Sequence, residues 1–112
     1  LLELHIAEEE TKYGLTPDAC RELLAEGEWR TLDHVQICGL MMMASNTDNQ
    51  DQIASEFETA ARFFDEIKTH YFADSDAFKE RSWGMSHDYK TAICHGSTMV
   101  RVGTTIFGPR VY

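Results

Sequence analysis

The residues best suited to chemistry lie together in Ser82 to Phe107, SWGMSHDYKTAICHGSTMVRVGTTIF. Two short segments there combine small residues with hydroxyls. Gly84-Met85-Ser86 follows a strand-like run and leads into Asp88, Tyr89 and a short helix. Gly103-Thr104-Thr105 follows a second run, Thr98 to Val102, whose apolar and β-branched residues are interrupted by one cation, Arg101. Free backbone N–H groups at a helix start attract anions, and glycine lets an anion approach closely. Two such loops, with a guanidinium just before the second, suit a phosphate or sulfate ion. Each residue also has a structural use. Ser86 could cap the following helix, Arg101 could pair with Asp88 or Glu3, and Gly103 could serve only a turn.

The 25 residues GMSHDYKTAICHGSTMVRVGTTIFG resemble the C-terminal signature of the pyridoxal-phosphate homeostasis proteins. That family is a set of single-domain relatives of the alanine racemase N-terminal barrel. Its pattern is GMS-x-D, a short helix with A-I, then GST-x-VR-x-G-x-x-IFG. EETKYGL (Glu9 to Leu15) and GLMMMA (Gly39 to Ala44) resemble the family in the same order. The resemblance spans the whole chain but only the C-terminal half of the family.

The resemblance implies a cofactor, pyridoxal 5'-phosphate, and a role for each matched residue. Ser86 would offer its hydroxyl to the phosphate, Gly103 and Thr104 their backbone N–H groups, and Thr104 or Thr105 a hydroxyl. Met85 would pack against the ring or the phosphate, and Arg101 would face the pyridine nitrogen. A guanidinium stays charged and cannot take a proton from that nitrogen. Such a site holds the cofactor but is a poor electron sink, which fits a carrier better than a fast enzyme. In the family the lysine that bonds the cofactor ends the first strand, in the half not represented here. Lys68, Lys79 and Lys90 end no apolar strand, and Lys12 reads equally as a site-proximal or a solvated lysine. No catalytic residue is assigned, and this chain alone is expected to bind the cofactor weakly or not at all.

The resemblance implies intracellular cofactor homeostasis, with this chain supplying the phosphate- and pyridine-binding half of the site. The alternatives are a racemase- or decarboxylase-type enzyme of the same superfamily and a self-associating half-barrel without cofactor.

The elements that must position these residues follow from patterning. Leu2, Leu4 and Ile6 alternate with polar residues and predict a strand over Leu1 to Ala7. Thr16-Pro17-Asp18 starts a helix that stops near Gly27. His34 to Met43 reads as a buried strand, and Ser45 to Asp51 as a turn. Ile53, Phe57, Ala60, Ala61, Phe64 and Ile67 form one apolar face of a helix over about Gln50 to Tyr71. Asp74 to Glu80 reads as a polar connector. Strands alternating with helices predict an α/β fold of parallel strands with right-handed crossovers. At roughly 31 residues per unit of an eight-unit barrel, the 112 residues make about four units. Residues 1–112 thus read as one partial domain, the C-terminal half of a (β/α)8 barrel, which leaves two unpaired edges and an exposed inner face. The other half would come from a lost N-terminal part, the favoured reading, from a second copy of the chain, or from an unresolved segment.

Composition narrows the partners. A net charge of −9, with 19 acidic against 10 basic residues, argues against nucleic acid. No apolar run reaches the roughly 20 residues of a membrane span. Cys20, Cys38 and Cys94 are odd in number and have no CxxC spacing, which suits a reduced, cytoplasmic compartment. The five histidines lack metal-ligand spacing, so no metal is expected. Ser86, His87 and Asp88 are adjacent, whereas a catalytic triad converges in space. The start within a strand-like segment, without Met, suggests a fragment.

Overall fold

Thr16 and Asn49 set where the two longer helices begin. In the computed structural model, which describes residues 1–9 and 13–109, the Thr16 hydroxyl accepts from Ala19 N at 3.1 Å. The Asn49 side-chain oxygen accepts from Asp51 N and Gln52 N at 3.1 and 3.2 Å. These bonds satisfy amides that a first helical turn leaves without partners. They open α1, Pro17–Glu26, and α2, Gln50–Tyr71, and a left-handed Gly27 closes α1.

The strands are β1 (Leu2–Leu4), β2 (Gly39–Met42), β3 (Glu80–Met85) and β4 (Met99–Arg101). They form one parallel sheet in the order β1-β2-β3-β4. Helices occupy the crossovers: α1, α2 and the six-residue α3 (Tyr89–Cys94), with α4 (Thr104–Phe107) after β4. A single turn of 3-10 helix, Glu28–Thr31, follows α1. Sequential parallel order is that of a (β/α)8 barrel.

The core lies between the sheet and the helices. Leu4, Leu40, Met42 and Trp83 pack with Cys20 and Leu24 of α1 and Ile53, Phe57, Phe64 and Ile67 of α2. Ala60 of the expected stripe is also buried, whereas Ala61 only borders the core. On the opposite sheet face, Glu3, Met41, Ser82 and Met99 stand in one register row.

Three expectations change. The strand expected over His34 to Met43 is confined to Gly39–Met42, and His34, Val35 and Gln36 are exposed. Its start is set by the neighbour, since Gly39 pairs with Glu80, the first residue of β3. The Asp74 to Glu80 connector is not wholly polar, because Phe78 is fully buried between Phe72 and Phe64, centroids 4.1 and 4.9 Å away. The outer edge of β1 is not open along its length. Leu15 docks there, accepting from His5 N at 2.7 Å and donating to Glu3 O at 2.8 Å.

Two boundaries also shift. Gly84 and Met85 belong to β3 and do not follow it, and the Thr98 to Val102 run contracts to Met99–Arg101. Lys12 lies outside the described residues. Among the described residues no helix is long and apolar enough to cross a membrane.

Candidate functional site

The turn after β3 is built by Gly84 and Asp88. Gly84 has φ +112°, and a Cβ there would lie 2.8 Å from the Ala92 Cβ, so only glycine lets α3 pack this closely. Asp88 is buried; its Oδ1 accepts from Met85 N at 2.7 Å, while its own amide donates to Met85 O at 3.1 Å. Ser86 and His87 are thereby held at the tip. Ser86 does not cap α3. Its hydroxyl oxygen accepts from Thr105 N at 3.3 Å and ties this turn to the one after β4.

The GST segment fastens β4 to β3. The Ser97 hydroxyl is 2.6 Å from Trp83 O, and Thr98 Oγ1 accepts from Arg81 N at 2.8 Å. Arg101 is thereby brought opposite Met85. Its Nη2 donates to Met42 O at 2.7 Å and Ser82 O at 3.1 Å, while Nε is buried without a partner. Burial pulls its pKa below the usual arginine value, and the Asp88 and Glu3 carboxylates oppose that pull. Neither carboxylate is an ion-pair partner among the described residues. The guanidinium is anchored by carbonyl oxygens, and its buried Nε–H is left over.

All five residues singled out from the sequence, Met85, Ser86, Arg101, Gly103 and Thr104, line one cavity of about 670 Å³. Asn46, His87 and Phe107 line it too. Gly103 has an ordinary φ of −102°, and a Cβ there would meet nothing within 4 Å. Nothing among the described residues requires glycine at this position. The amides of Gly103 and Thr104 donate to no group among the described residues, whereas Gly103 O accepts from Ile106 N and Phe107 N. The helices here have only six and four residues, so the anion-attracting groups are individual N–H donors and not a macrodipole. The orphaned Arg101 Nε–H, the two unengaged amides and the open space at Gly103 fit a phosphorylated, ring-bearing ligand.

Asn46 escaped the sequence reading because SNTDN reads only as a turn. A long-range clasp places it: Glu56 of α2 accepts from Ser45 N at 2.6 Å and Ser45 Oγ at 2.7 Å, and Ser45 Oγ accepts from Glu8 N at 3.0 Å. Asn46 N then donates to the Glu9 carboxylate at 3.1 Å. His5 and Ala7, just beyond the end of β1, do not line the cavity.

A second cavity of about 600 Å³ lies at the opposite ends of the strands, lined by Trp29, Arg30, Val35, His70, Tyr71 and Phe72 among others. Among the described residues no cluster of three or more His, Cys, Asp or Glu could hold a metal. Burial pushes the Cys20 thiol up to about 11, so it stays protonated and is a poor nucleophile.

Residues 2–111 match the family described as alanine racemase, N-terminal domain. The pyridoxal phosphate homeostasis protein of Aquifex aeolicus is 35% identical over 113 residues, covering all of this chain and 47% of that protein. That of Haemophilus influenzae is 35% identical over 112 residues, covering all of this chain and 46% of its relative. PipY of Synechococcus elongatus, solved without pyridoxal phosphate, superposes with a TM-score of 0.83 at 31% identity, covering 96% of this chain and 48% of PipY. Its structure with pyridoxal phosphate bound gives 0.76 at 30% identity, covering 95% of this chain and 49% of PipY. The chain spans about half the length of the curated relatives it matches, and its fold is half of a (β/α)8 barrel.

Proposed function

The chain belongs to the alanine racemase N-terminal domain family, and on that premise we propose that it serves pyridoxal phosphate homeostasis. Residues 1–112 form part of a single barrel domain, and the N-terminal half of the family barrel supplies the cofactor-bonding lysine. The observation that carries this reading is the convergence of Met85, Ser86, Arg101, Gly103 and Thr104 on one cavity, with unengaged donors at its wall. We place the protein in the cytoplasm, in keeping with three free thiols.

When bound, pyridoxal phosphate supplies an amine-reactive aldehyde conjugated to an electron-withdrawing ring. The chain's own residues divide the binding. The Gly103 and Thr104 amides and the Ser86 hydroxyl hold phosphate oxygens. Arg101, fixed through Nη2 on two carbonyls, would face the pyridine nitrogen with its guanidinium. Because a guanidinium keeps its proton, that nitrogen receives a hydrogen bond without becoming protonated. The site therefore retains the cofactor while weakening its electron-sink chemistry, as a carrier requires. Met85 and Phe107 supply apolar wall.

The test is a pyridoxal phosphate titration of the full-length protein, followed by its visible absorption. Arg101→Met is expected to weaken the cofactor more than inorganic phosphate, since Arg101 serves the ring. Uptake unchanged in both Arg101→Met and Gly103→Ala would sink the assignment.

A further inference from the structure

We propose that His87 is a proton-gated anion ligand of the same cavity, making phosphate retention tighter as pH falls. The proposal rests on the reading of that cavity as a phosphate site. His87 occupies the position left open in the GMS-x-D pattern. It lines the main cavity and also the small adjoining one bounded by Gln50, Lys90 and Thr105.

A buried carboxylate stands beside the ring. Nε2 lies 3.2 Å from Asp88 Oδ2, and the Asp88 side chain is only 2% exposed. The other Asp88 oxygen is taken by Met85 N at 2.7 Å, so the carboxylate is itself held in place. The negative charge at that distance favours the neutral tautomer with its hydrogen on Nε2, which leaves a lone pair on Nδ1. Nδ1 has no hydrogen-bond partner among the described residues. In the neutral ring that lone pair repels an anionic oxygen. Protonation converts Nδ1 into a donor and adds a positive charge at the wall where Ser86 sits. Histidine is the side chain that ordinarily makes this change near neutral pH.

The other charged or titratable groups around the ring are Asp88, Tyr89 and Lys90 on its own side, Arg101 from β4, and Glu9 across the cavity at Asn46. Arginine keeps its proton, and imidazole is the side-chain type at this wall whose charge ordinarily changes near neutral pH.

The experiment is calorimetric titration of the full-length protein with inorganic sulfate, a dianion throughout the range, from about pH 8.5 to about pH 5.5. Wild-type affinity is expected to rise about tenfold across that span, as one charge-assisted hydrogen bond is gained. His87→Gln should remain at the weak, high-pH affinity, and His87→Lys should bind tightly at both ends. Equal pH slopes in wild type and His87→Gln overturn the proposal, as does a flat wild-type profile. Absence of sulfate binding at every pH overturns it too. The cavity reading stands or falls separately: it survives if Gly103→Ala or Arg101→Met still weakens pyridoxal phosphate, and fails if both variants bind the cofactor as wild type does.

Discussion

Two hollows of nearly equal size lie at opposite ends of this sheet, about 670 and about 600 Å³, and their walls differ in what has been left unpaired. In the hollow beside Trp29, the aromatic and imidazole groups are engaged by the chain. The Trp29 indole donates to Leu24 O at 3.0 Å, the Arg30 guanidinium lies 4.9 Å from the Trp29 ring centre, and His70 Nδ1 is 2.9 Å from Glu66 O. In the hollow beside Arg101, two amides and one buried guanidinium N–H have no internal use. Buried donors are normally satisfied, so volume is a weaker sign of a binding site than donors left over.

Substitutions break or sharpen this contrast. The largest effect is expected from Gly84→Val, beside the Arg101 hollow. A positive φ costs ~1–3 kcal/mol for a side-chain residue, and overpacking against Ala92 costs a similar amount. Urea denaturation of the full-length protein should show a loss of about 4 kcal/mol. Trp29→Ala empties the wall of the other hollow. Trp29 is half-buried and packs on Phe72 at 5.0 Å, so a loss of about 2 kcal/mol is expected, with pyridoxal phosphate affinity unchanged.

Gly103→Ala should do the reverse. A methyl there meets nothing among the described residues, so melting should hold within about 2 °C. Phosphate affinity should fall about tenfold, equivalent to about 1.4 kcal/mol. A destabilised Gly103→Ala protein would show that this glycine serves the fold after all.

The smallest effect concerns acid. Arg21 donates to both Glu66 oxygens, at 2.7 and 2.9 Å, and this hydrogen bonding holds the Glu66 carboxyl below its usual range. A depressed folded-state pKa gives stability that is present above the ordinary glutamate value and lost as pH falls through the folded one. The pair is over a third exposed, so screening limits it to about 0.5 kcal/mol. Glu66→Gln should be slightly less stable than wild type at neutral pH, and the gap should close in acid. Thermal melts at both pH values would measure it.

How far the sequence could be read depended on the range of the forces involved. Thr16, Pro17, Gly27 and the apolar stripe of α2 act within a few residues of themselves, and those helix limits were legible. The cavity residues were legible because they crowd into one 20-residue stretch, Met85 to Thr104. Strand lengths were not, since β2 starts where β3 meets it, which no local pattern encodes. The roles of Asn46 and Phe78 also stayed hidden. Asn46 is placed by a clasp between residues 11 and 37 positions apart, and Phe78 by rings on α2 and its end. Glu56 looked like any surface glutamate until the fold buried it beneath Ser45.

The sequential strand order has a consequence for biosynthesis. Each strand pairs with the one made just before it, so the sheet can be laid down in the direction the ribosome delivers it. Every residue of this chain proposed to hold the cofactor lies in β3, β4 or the turns that follow them. A nascent chain therefore gains this affinity only when β4 docks, and retention of cofactor becomes a report that assembly of this sheet has finished.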